Sequence, residues 1–269
     1  GRMLKVHPRI IAESVPFNME ADSLNSIVLG EDAVPGTPEF DLFVKEVGRE
    51  MTLKCGQRCT GVRRILVPEK LGEDVQKAIS KRLAGTMIGD PRVEGVRMGA
   101  LVGQAQREEV RANLNKLLKG SELVYGDPQS VEVTGADAKK GAFMSPILLL
   151  NNDPWKNRVS HEVEAFGPVS TLMPYKDLDD AIAISKLGKG SLVASIATYD
   201  NKVAQQIVWG AANHHGRMLV IDRDMAKENT GHGSPLATLV HGGPGRAGGG
   251  EEMGGKRGVM HYLQRTAIQ

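Results

Sequence analysis

Apolar side chains are spaced in two ways along this chain, and the two spacings alternate. After Glu39 they recur every three or four residues, as on one face of a helix: Phe40, Phe43, Val44, Val47 and Met51. The unbroken run Ile65-Leu66-Val67 follows, and such a run is typical of a buried strand. Because helical and strand patterns continue to alternate, we predict an α/β fold in which helices flank a mostly parallel sheet.

The same pattern extends through residue 221. Further strands are expected at 26–29, 122–125, 143–150, 169–174, 192–198 and 218–221. Further helices are expected at 73–87, 104–119, 177–188 and 202–212, with Asp177 as an N-cap.

The two ends of the chain break this pattern. Residues 1–7 resemble the end of a helix that has no N-cap, and the β-rich run 10–17 follows at once. We therefore expect the chain to begin within a fold. At the other end, a glycine-rich stretch precedes a last predicted strand at 259–263.

Composition argues against a nucleic-acid-binding, a disulfide-rich or a membrane-spanning protein. Apolar residues make up 41% and charged residues 25%, with a net charge of +2, so no charge excess indicates a nucleic-acid partner. Two cysteines cannot form a disulfide framework, which favours a reducing compartment. The sequence has neither an apolar run of membrane-spanning length nor the apolar core of a secretory signal, and we expect a cytoplasmic protein.

Cys59 is the first candidate for chemistry. It lies in Cys55-Gly56-Gln57-Arg58-Cys59-Thr60-Gly61, at the end of the predicted helix and before the strand at Ile65. A thiol displayed at a helix end beside glycine can be both exposed and electrostatically activated, and a thiolate attacks carbonyl carbon. The nearby Arg58, Arg63 and Arg64 are candidates to favour that thiolate.

Glu20 is the candidate general base, because it follows the predicted strand at 10–17 directly. A carboxylate at a strand end in an α/β fold is well placed to face a crevice, where it can activate water. The alternative is that Cys59 packs as a small buried hydrophobe and Glu20 is an ordinary loop acid.

The spacing of Cys55 and Cys59 places both sulfurs on one face of a helix. No histidine cluster accompanies them, so we expect no zinc site and assign no metal ligand. His214, His215, His232 and His241 are spaced too irregularly for ligands, and we expect solvent-facing or loop histidines.

Three motifs, in this order, resemble landmarks of the aldehyde dehydrogenase superfamily. They are Glu20 in its acidic and polar context, Gly56-Gln57-Arg58-Cys59-Thr60, and the segment Glu162-Val163-Glu164-Ala165-Phe166-Gly167-Pro168. The last segment contains the family pattern Glu-x-Phe-Gly-Pro residue for residue. The resemblance implies that residues 1–19 end a cofactor-binding domain and that 20–228 form the catalytic domain. It makes 229–269 a glycine-rich active-site loop followed by an oligomerisation strand.

The resemblance also implies four residue roles. Cys59 is expected to attack the aldehyde, and Glu20 to activate the water that hydrolyses the resulting thioester. Glu164 matches the glutamate that holds the nicotinamide ribose, and Phe166 the aromatic ring beside the nicotinamide. The family's phosphate-binding loop has no counterpart in these residues, so we expect this stretch alone to lack activity.

The unusual tail narrows the resemblance to one branch of the family. Segments 230–235, 241–252 and 261–267 resemble the dehydrogenase part of bifunctional enzymes of phenylacetate degradation. This branch implies NADP, or NAD, as cofactor and a CoA-linked aldehyde, 3-oxo-5,6-dehydrosuberyl-CoA semialdehyde, as substrate. It further implies a homo-oligomer, with an enoyl-CoA-hydratase-like hotdog domain after the dehydrogenase part.

The glycine-rich stretch 242–250 leaves three interpretations open. It has the composition of a phosphate-binding loop, but such a loop must follow a strand and open a helix. A disordered linker is the second interpretation. The resemblance makes it the loop beside the aldehyde entrance.

Three functions therefore remain. The first is a semialdehyde dehydrogenase that hydrolyses its thioester with water. The second is a dehydrogenase that passes the acyl group to CoA, although Glu20 argues against it because that transfer needs no water-activating base. The third is a structural or oligomerisation module without activity.

Overall fold

The computed structural model describes residues 1–225, 229–251 and 255–269. In chain order its helices are α1 (Arg2–Lys5), α2 (Pro8–Ala12), α3 (Pro38–Thr52), α4 (Gly72–Ala84), α5 (Gln104–Leu117), α6 (Leu178–Lys186), α7 (Asn201–Ala211) and α8 (Lys256–Tyr262). Its strands are β1 (Met19–Glu20), β2 (Asn25–Leu29), β3 (Val62–Pro68), β4 (Glu122–Tyr125), β5 (Ile147–Leu150), β6 (Val169–Tyr175), β7 (Ser191–Ala197), β8 (His215–Ile221) and β9 (Ala247–Gly248).

Seven of these strands form one sheet in the order β4-β5-β6-β3-β2-β7-β8. All neighbouring pairs are parallel except β4 with β5, which is antiparallel. The predicted α/β fold with a mostly parallel sheet is confirmed. Strand β5 is shorter than predicted and starts at Ile147, because Pro146 has no N–H to donate to a neighbouring strand.

Helices cover both faces of the sheet, as a parallel sheet requires. Successive residues of β3 show the alternation: Ile65 and Val67 pack with α3 and α4, whereas Leu66 packs with α6 and α7. Helix α5 packs over the β5–β6 side, where Val110, Leu114 and Leu117 join a third apolar cluster. The sheet is thus a rigid platform, and its loops carry the candidate chemistry.

The predicted strand at 10–17 is wrong. Residues 8–12 form α2, because Pro8 at the first helical position has its φ preset for a helix and His7 Nδ1 accepts a hydrogen bond from Arg9 N at 3.3 Å. None of the described strands pairs with the segment that contains the β-formers Ile10 and Ile11. The helix end predicted at 1–7 is one short turn, α1.

The predicted strand at 259–263, which was to serve as an oligomerisation strand, is also wrong in this structure. Helix α8 occupies Lys256–Tyr262 and buries none of its residues. A strand needs a neighbour to accept its hydrogen bonds, and none of the described strands lies beside this segment. The backbone satisfies itself locally as a helical turn instead.

Within the described ranges, no helix combines the length and apolarity needed to cross a bilayer.

Candidate active site

Glu20, Cys59 and Glu164 lie on three segments that meet at one edge of the sheet. These segments lead into β2, β3 and β6 respectively, and these three strands are adjacent in the sheet. Because the strands are parallel, their amino ends meet at this edge. The expectation that Glu20 follows a strand is therefore corrected: it lies in the two-residue strand β1, ahead of β2.

All four residues singled out by the sequence line a single cleft of about 590 Å³. Cys59 and Phe166 are exposed in it, and Glu20 and Glu164 each contribute a carboxylate. The cleft also has a wall from α5, made by Gln106, Glu109, Asn113 and Lys116. Sequence motifs separated by more than a hundred residues are thus brought to one place.

The turn that carries Cys59 is held by a buried amide. Asn25 is fully buried at the start of β2, and its Nδ2 donates to the carbonyl oxygens of Cys59 at 2.8 Å and Gly61 at 3.0 Å. Its Oδ1 accepts from Val193 N at 3.1 Å, so the turn is connected to β7 as well. No sequence motif singled out Asn25, although a polar residue at the start of an apolar strand is a signal for such a role.

Cys55 and Cys59 do not share a helix face. Helix α3 ends at Thr52, and Cys55 follows in a left-handed conformation with φ of 54°. Cys55 is buried, and burial raises the pKa of its thiol to about 12, whereas Cys59 is exposed. The alternative in which Cys59 is a buried hydrophobe is wrong; that description fits Cys55.

Arg63 joins the Cys59 turn to the Glu164 loop. Its guanidinium is buried and donates to Glu164 Oε1 at 3.0 Å, Gly167 O at 2.8 Å, Gly56 O at 2.9 Å and Arg58 O at 3.2 Å. Only the planar, five-donor guanidinium can serve so many acceptors at once. Its position in the sequence indicated only a charge near the thiol, although two arginines at the start of a buried strand are a signal for buried ion pairs.

Both carboxylate oxygens of Glu164 already accept hydrogen bonds. Arg63 Nε binds Oε1, and Ser23 N binds Oε2 at 3.2 Å. Burial raises the pKa of Glu164, and the neighbouring Arg63 opposes that rise. The guanidinium carbon of Arg63 also lies 5.4 Å from the centre of the Phe166 ring, so Arg63 orients both residues of the motif.

Glu20 lies where its carboxyl group is easily protonated. Partial burial in the cleft raises its pKa, and the carboxylates of Glu164 and Asp22 raise it further. A carboxylate whose pKa is moved toward neutrality is a stronger base than an ordinary surface acid.

The glycine-rich tail packs against the Glu20 segment. Strand β9 pairs antiparallel with β1, opposite Glu20, and Arg246 forms a bidentate ion pair with Asp22. Arg246 also donates to His161 O at 3.1 Å and to Glu162 O at 2.9 Å. The sequence did not indicate this long-range ion pair.

Close backbone packing explains the glycines. A Cβ on Gly242 would lie 1.8 Å from Gly250 O, and one on Gly216 would lie 1.5 Å from Gly242 O. The described part of the tail neither follows a strand directly nor opens a helix there, so the phosphate-loop context is missing. A disordered linker does not describe these packed residues either.

The histidine and arginine expectations need correction. His215 and His232 are buried rather than solvent-facing, with Nδ1 of each 2.7 Å from the hydroxyl of Ser191 and Ser195 respectively. Burial lowers the pKa of each imidazole to about 3. Within the described residues no three metal-ligating side chains cluster.

None of the three arginines near Cys59 directs its charge at the thiol alone. Arg58 pairs with Glu50 at 2.7 Å, and Arg63 is bound as described above. Arg64 is buried and donates to the carbonyl oxygens of Leu24, Ile184 and Ser185 at 2.7 to 3.0 Å. These arginines therefore brace the loops around the cleft.

Comparisons with known proteins agree with this geometry. The family model described as "Aldehyde dehydrogenase family" matches residues 6–268. The chain is 47% identical over 241 residues to 3,4-dehydroadipyl-CoA semialdehyde dehydrogenase of Aromatoleum evansii, covering 90% of this chain and 47% of that protein. It is 46% identical over 173 residues to Protein MaoC of Klebsiella aerogenes, covering 64% and 50%. The chain thus spans about half the length of these relatives.

A solved structure gives the same fold. Betaine aldehyde dehydrogenase from Staphylococcus aureus, in complex with NAD+, superimposes with a TM-score of 0.77 at 23% identity, covering 92% of this chain and 45% of that one. The motif order, the loops at one sheet edge and the match over residues 6–268 agree. This chain belongs to the aldehyde dehydrogenase family.

Proposed function

We propose that this chain is the catalytic part of an NAD(P)-dependent aldehyde dehydrogenase that oxidises a CoA-linked semialdehyde to its carboxylate. The observation that supports it best is the convergence of Cys59, Glu20, Glu164 and Phe166 on one cleft. The similarity to a CoA semialdehyde dehydrogenase supports the substrate class.

The cleft residues fit a nicotinamide cofactor. A carboxylate offers about four acceptor positions, and two hydrogen bonds to Glu164 leave others for ribose hydroxyls. Phe166 is 37% exposed and presents an apolar ring to a planar base. When bound, the nicotinamide accepts a hydride from the substrate carbon.

The remaining steps belong to this chain. Cys59 Sγ attacks the aldehyde carbon, giving a thiohemiacetal that becomes a thioester once the hydride has left. Glu20 takes a proton from a water molecule, whose oxygen then attacks the thioester carbonyl. The C–S bond breaks, the Cys59 thiolate is restored and the carboxylate product leaves.

The cofactor and the acyl chain are the finer parts of the proposal. NADP is the cofactor expected from the resemblance, with NAD as the alternative. The substrate expected from the same source is 3-oxo-5,6-dehydrosuberyl-CoA semialdehyde, whereas the name of the relative from Aromatoleum evansii specifies a dehydroadipyl chain. Initial rates with both cofactors and both semialdehydes would rank the four combinations.

The oligomeric state, the cellular compartment and the hotdog domain also belong to the proposal. We infer a cytoplasmic homo-oligomer, and the apolar side chains exposed on α8, Val259, Met260 and Tyr262, support a partner surface. Light scattering of the complete protein tests this, since a monomer would contradict it. That a hotdog domain follows the dehydrogenase part stays a prediction, and the complete coding sequence would test it.

The deciding experiment replaces Glu20 in the complete protein that carries this chain. Glu20→Gln should slow steady-state turnover by about a hundredfold or more, because the thioester then lacks its base. The first turnover should still release one equivalent of reduced cofactor. Full steady-state turnover by the variant would contradict the proposal.

The same variant distinguishes hydrolysis of the thioester from the alternative in which the acyl group is transferred to CoA. If free CoA were the acyl acceptor, turnover would depend on added CoA and Glu20→Gln would leave it unchanged. Glu20→Asp is the matched control, since it keeps the carboxylate but shortens its reach.

A further inference from the structure

The residue directly before Cys59 carries a buried ion pair. Arg58 Nη1 lies 2.7 Å from Glu50 Oε1, and the Glu50 side chain on α3 is fully buried while that of Arg58 is 12% exposed. Glu50 Oε2 is buried too and makes no hydrogen bond within the described residues. The Arg58 side chain therefore points into the protein, away from the cleft that Cys59 faces.

This ion pair supports the backbone of the turn. Arg58 O accepts from Gly61 N at 3.0 Å and Arg58 N donates to Gly56 O at 3.0 Å, so Arg58 is at the centre of the turn. Arg58 Nη2 reaches Ser234 Oγ at 3.4 Å, while Thr60 Oγ1 donates to Gly233 O at 3.0 Å. The residues on both sides of Cys59 are thus tied to the segment 233–234 and to α3.

We infer that Glu50, acting through Arg58, is a positioning residue that holds the Cys59 turn against the body of the protein. The consequence for catalysis rests on the proposed role of Cys59, but the positioning itself does not. A guanidinium held inside by one carboxylate cannot stay there once that carboxylate is neutral, because a buried charge without its partner is strongly unfavourable.

The charges around Glu50 determine when the ion pair exists. The charged and titratable groups that face Glu50 or its ion pair are Glu46 and Arg49 on α3, Arg58 in the turn, Arg217 on β8, and His232 beside Arg217 and Arg58. Burial raises the pKa of Glu50 to about 7, although Arg58 opposes the rise. The ion pair therefore forms as the pH rises through about 7, and it is lost as the pH falls.

Hydrogen exchange of the turn is the test, because it needs neither cofactor nor substrate. When the turn opens, Arg58 leaves while Glu50 stays buried on α3, and the loss of Arg58 raises the pKa of Glu50 further. The closed turn then binds fewer protons than the open one, so wild-type protection factors for residues 57–61, corrected for intrinsic exchange, should rise about tenfold between pH 6 and pH 8. Glu50→Gln should give low protection at both pH values, since its side chain cannot ionise. Glu31→Gln, in the exposed ion pair with Lys70, is the matched control and should keep the wild-type response.

Two further measurements complete the test. Glu50→Asp should restore part of the pH response, which a purely space-filling role would not. In the complete protein, Glu50→Gln should lower kcat at least about fivefold while the KM for the cofactor changes less than twofold.

The inference is overturned if wild-type protection of the turn does not depend on pH, a result that stands even if Glu50→Gln fails to fold. It is also overturned if Glu50→Gln keeps the wild-type response. Loss of activity in Cys59→Ala tests the proposed function separately. A positive exchange result with an active Cys59→Ala would leave the positioning correct and the proposed function wrong.

Discussion

The loops around Cys59 and the two ends of the chain both lie outside the long helices and strands, yet they are stabilised by different means. In the cleft loops, the buried side chains of Asn25 and Arg63 together donate to five main-chain carbonyl oxygens, and Arg63 also donates to the Glu164 carboxylate. Helices α1, α2 and α8 bury none of their residues. Order in the cleft therefore comes from long-range contacts, whereas α1 and α2 at the amino end rely on hydrogen bonds between residues close in sequence.

Lowering the pH should give the largest effect, because it destabilises the core behind the cleft, which contains neutral buried histidines. Burial lowers the pKa of His161, His215 and His232 to about 3. The unfolded chain binds protons at these positions below about pH 6.5, while the native chain does not, so stability falls as the pH falls from there toward 3. Each histidine contributes up to about 1.4 kcal/mol per pH unit, and Glu50 and Glu164, with raised pKa values, offset part of it.

We expect the free energy of unfolding to drop by about 3 kcal/mol between pH 7 and pH 5 in urea titrations. The variant His232→Gln can still bond Ser195 but does not titrate, so its drop should be smaller by about 2 kcal/mol. An unchanged drop in this variant would show that His232 is charged in the native protein.

Removing Arg63 should have an effect of similar size on stability. Arg63→Met leaves the buried Glu164 carboxylate without its cation, and we expect a loss of about 3 kcal/mol in the free energy of unfolding. The control is Arg9→Met, whose exposed ion pair with Glu13 near the amino end should contribute less than about 0.5 kcal/mol. Similar losses in the two variants would contradict the contrast between cleft and ends.

The Asp22–Arg246 pair should give the smallest of these effects. It is partly exposed and connects the glycine-rich tail to the Glu20 segment. Asp22→Asn should increase proteolytic cleavage within 229–251 about fivefold, equivalent to about 1 kcal/mol of local stability. Glu73→Gln, in a solvent-exposed pair with Lys77, is the control and should leave cleavage of the tail unchanged.

The contrast also explains what could be predicted from the sequence. Strands such as β3 and helices such as α3 are predictable from apolar spacing, because the residues that each element buries recur at a regular interval along the sequence. The run at 10–17 has strand-like residues as well, but whether a strand forms depends on a neighbour. The same holds for 259–263, where no described strand lies alongside and a helix forms.

The candidate site also has residues that the sequence predicts and contacts that it does not. Cys59 and the Glu164-Ala165-Phe166 segment were recognisable as motifs, and their convergence on one cleft followed from the resemblance. The partners of Arg63 and Arg246 were not predictable, because Arg63 and Glu164 are 101 residues apart and Arg246 and Asp22 are 224 apart. Spacing carries no information on contacts at that separation.

Trapping the acyl group on Cys59 tests most directly the proposal that Cys59 is the catalytic nucleophile. The Glu20→Gln variant of the complete protein is mixed with semialdehyde and oxidised cofactor, quenched in acid and digested for mass spectrometry. We predict one acyl adduct per chain on the peptide containing Cys59, formed together with one equivalent of reduced cofactor. Reduced cofactor without an adduct on Cys59, or an adduct on another residue, would contradict it.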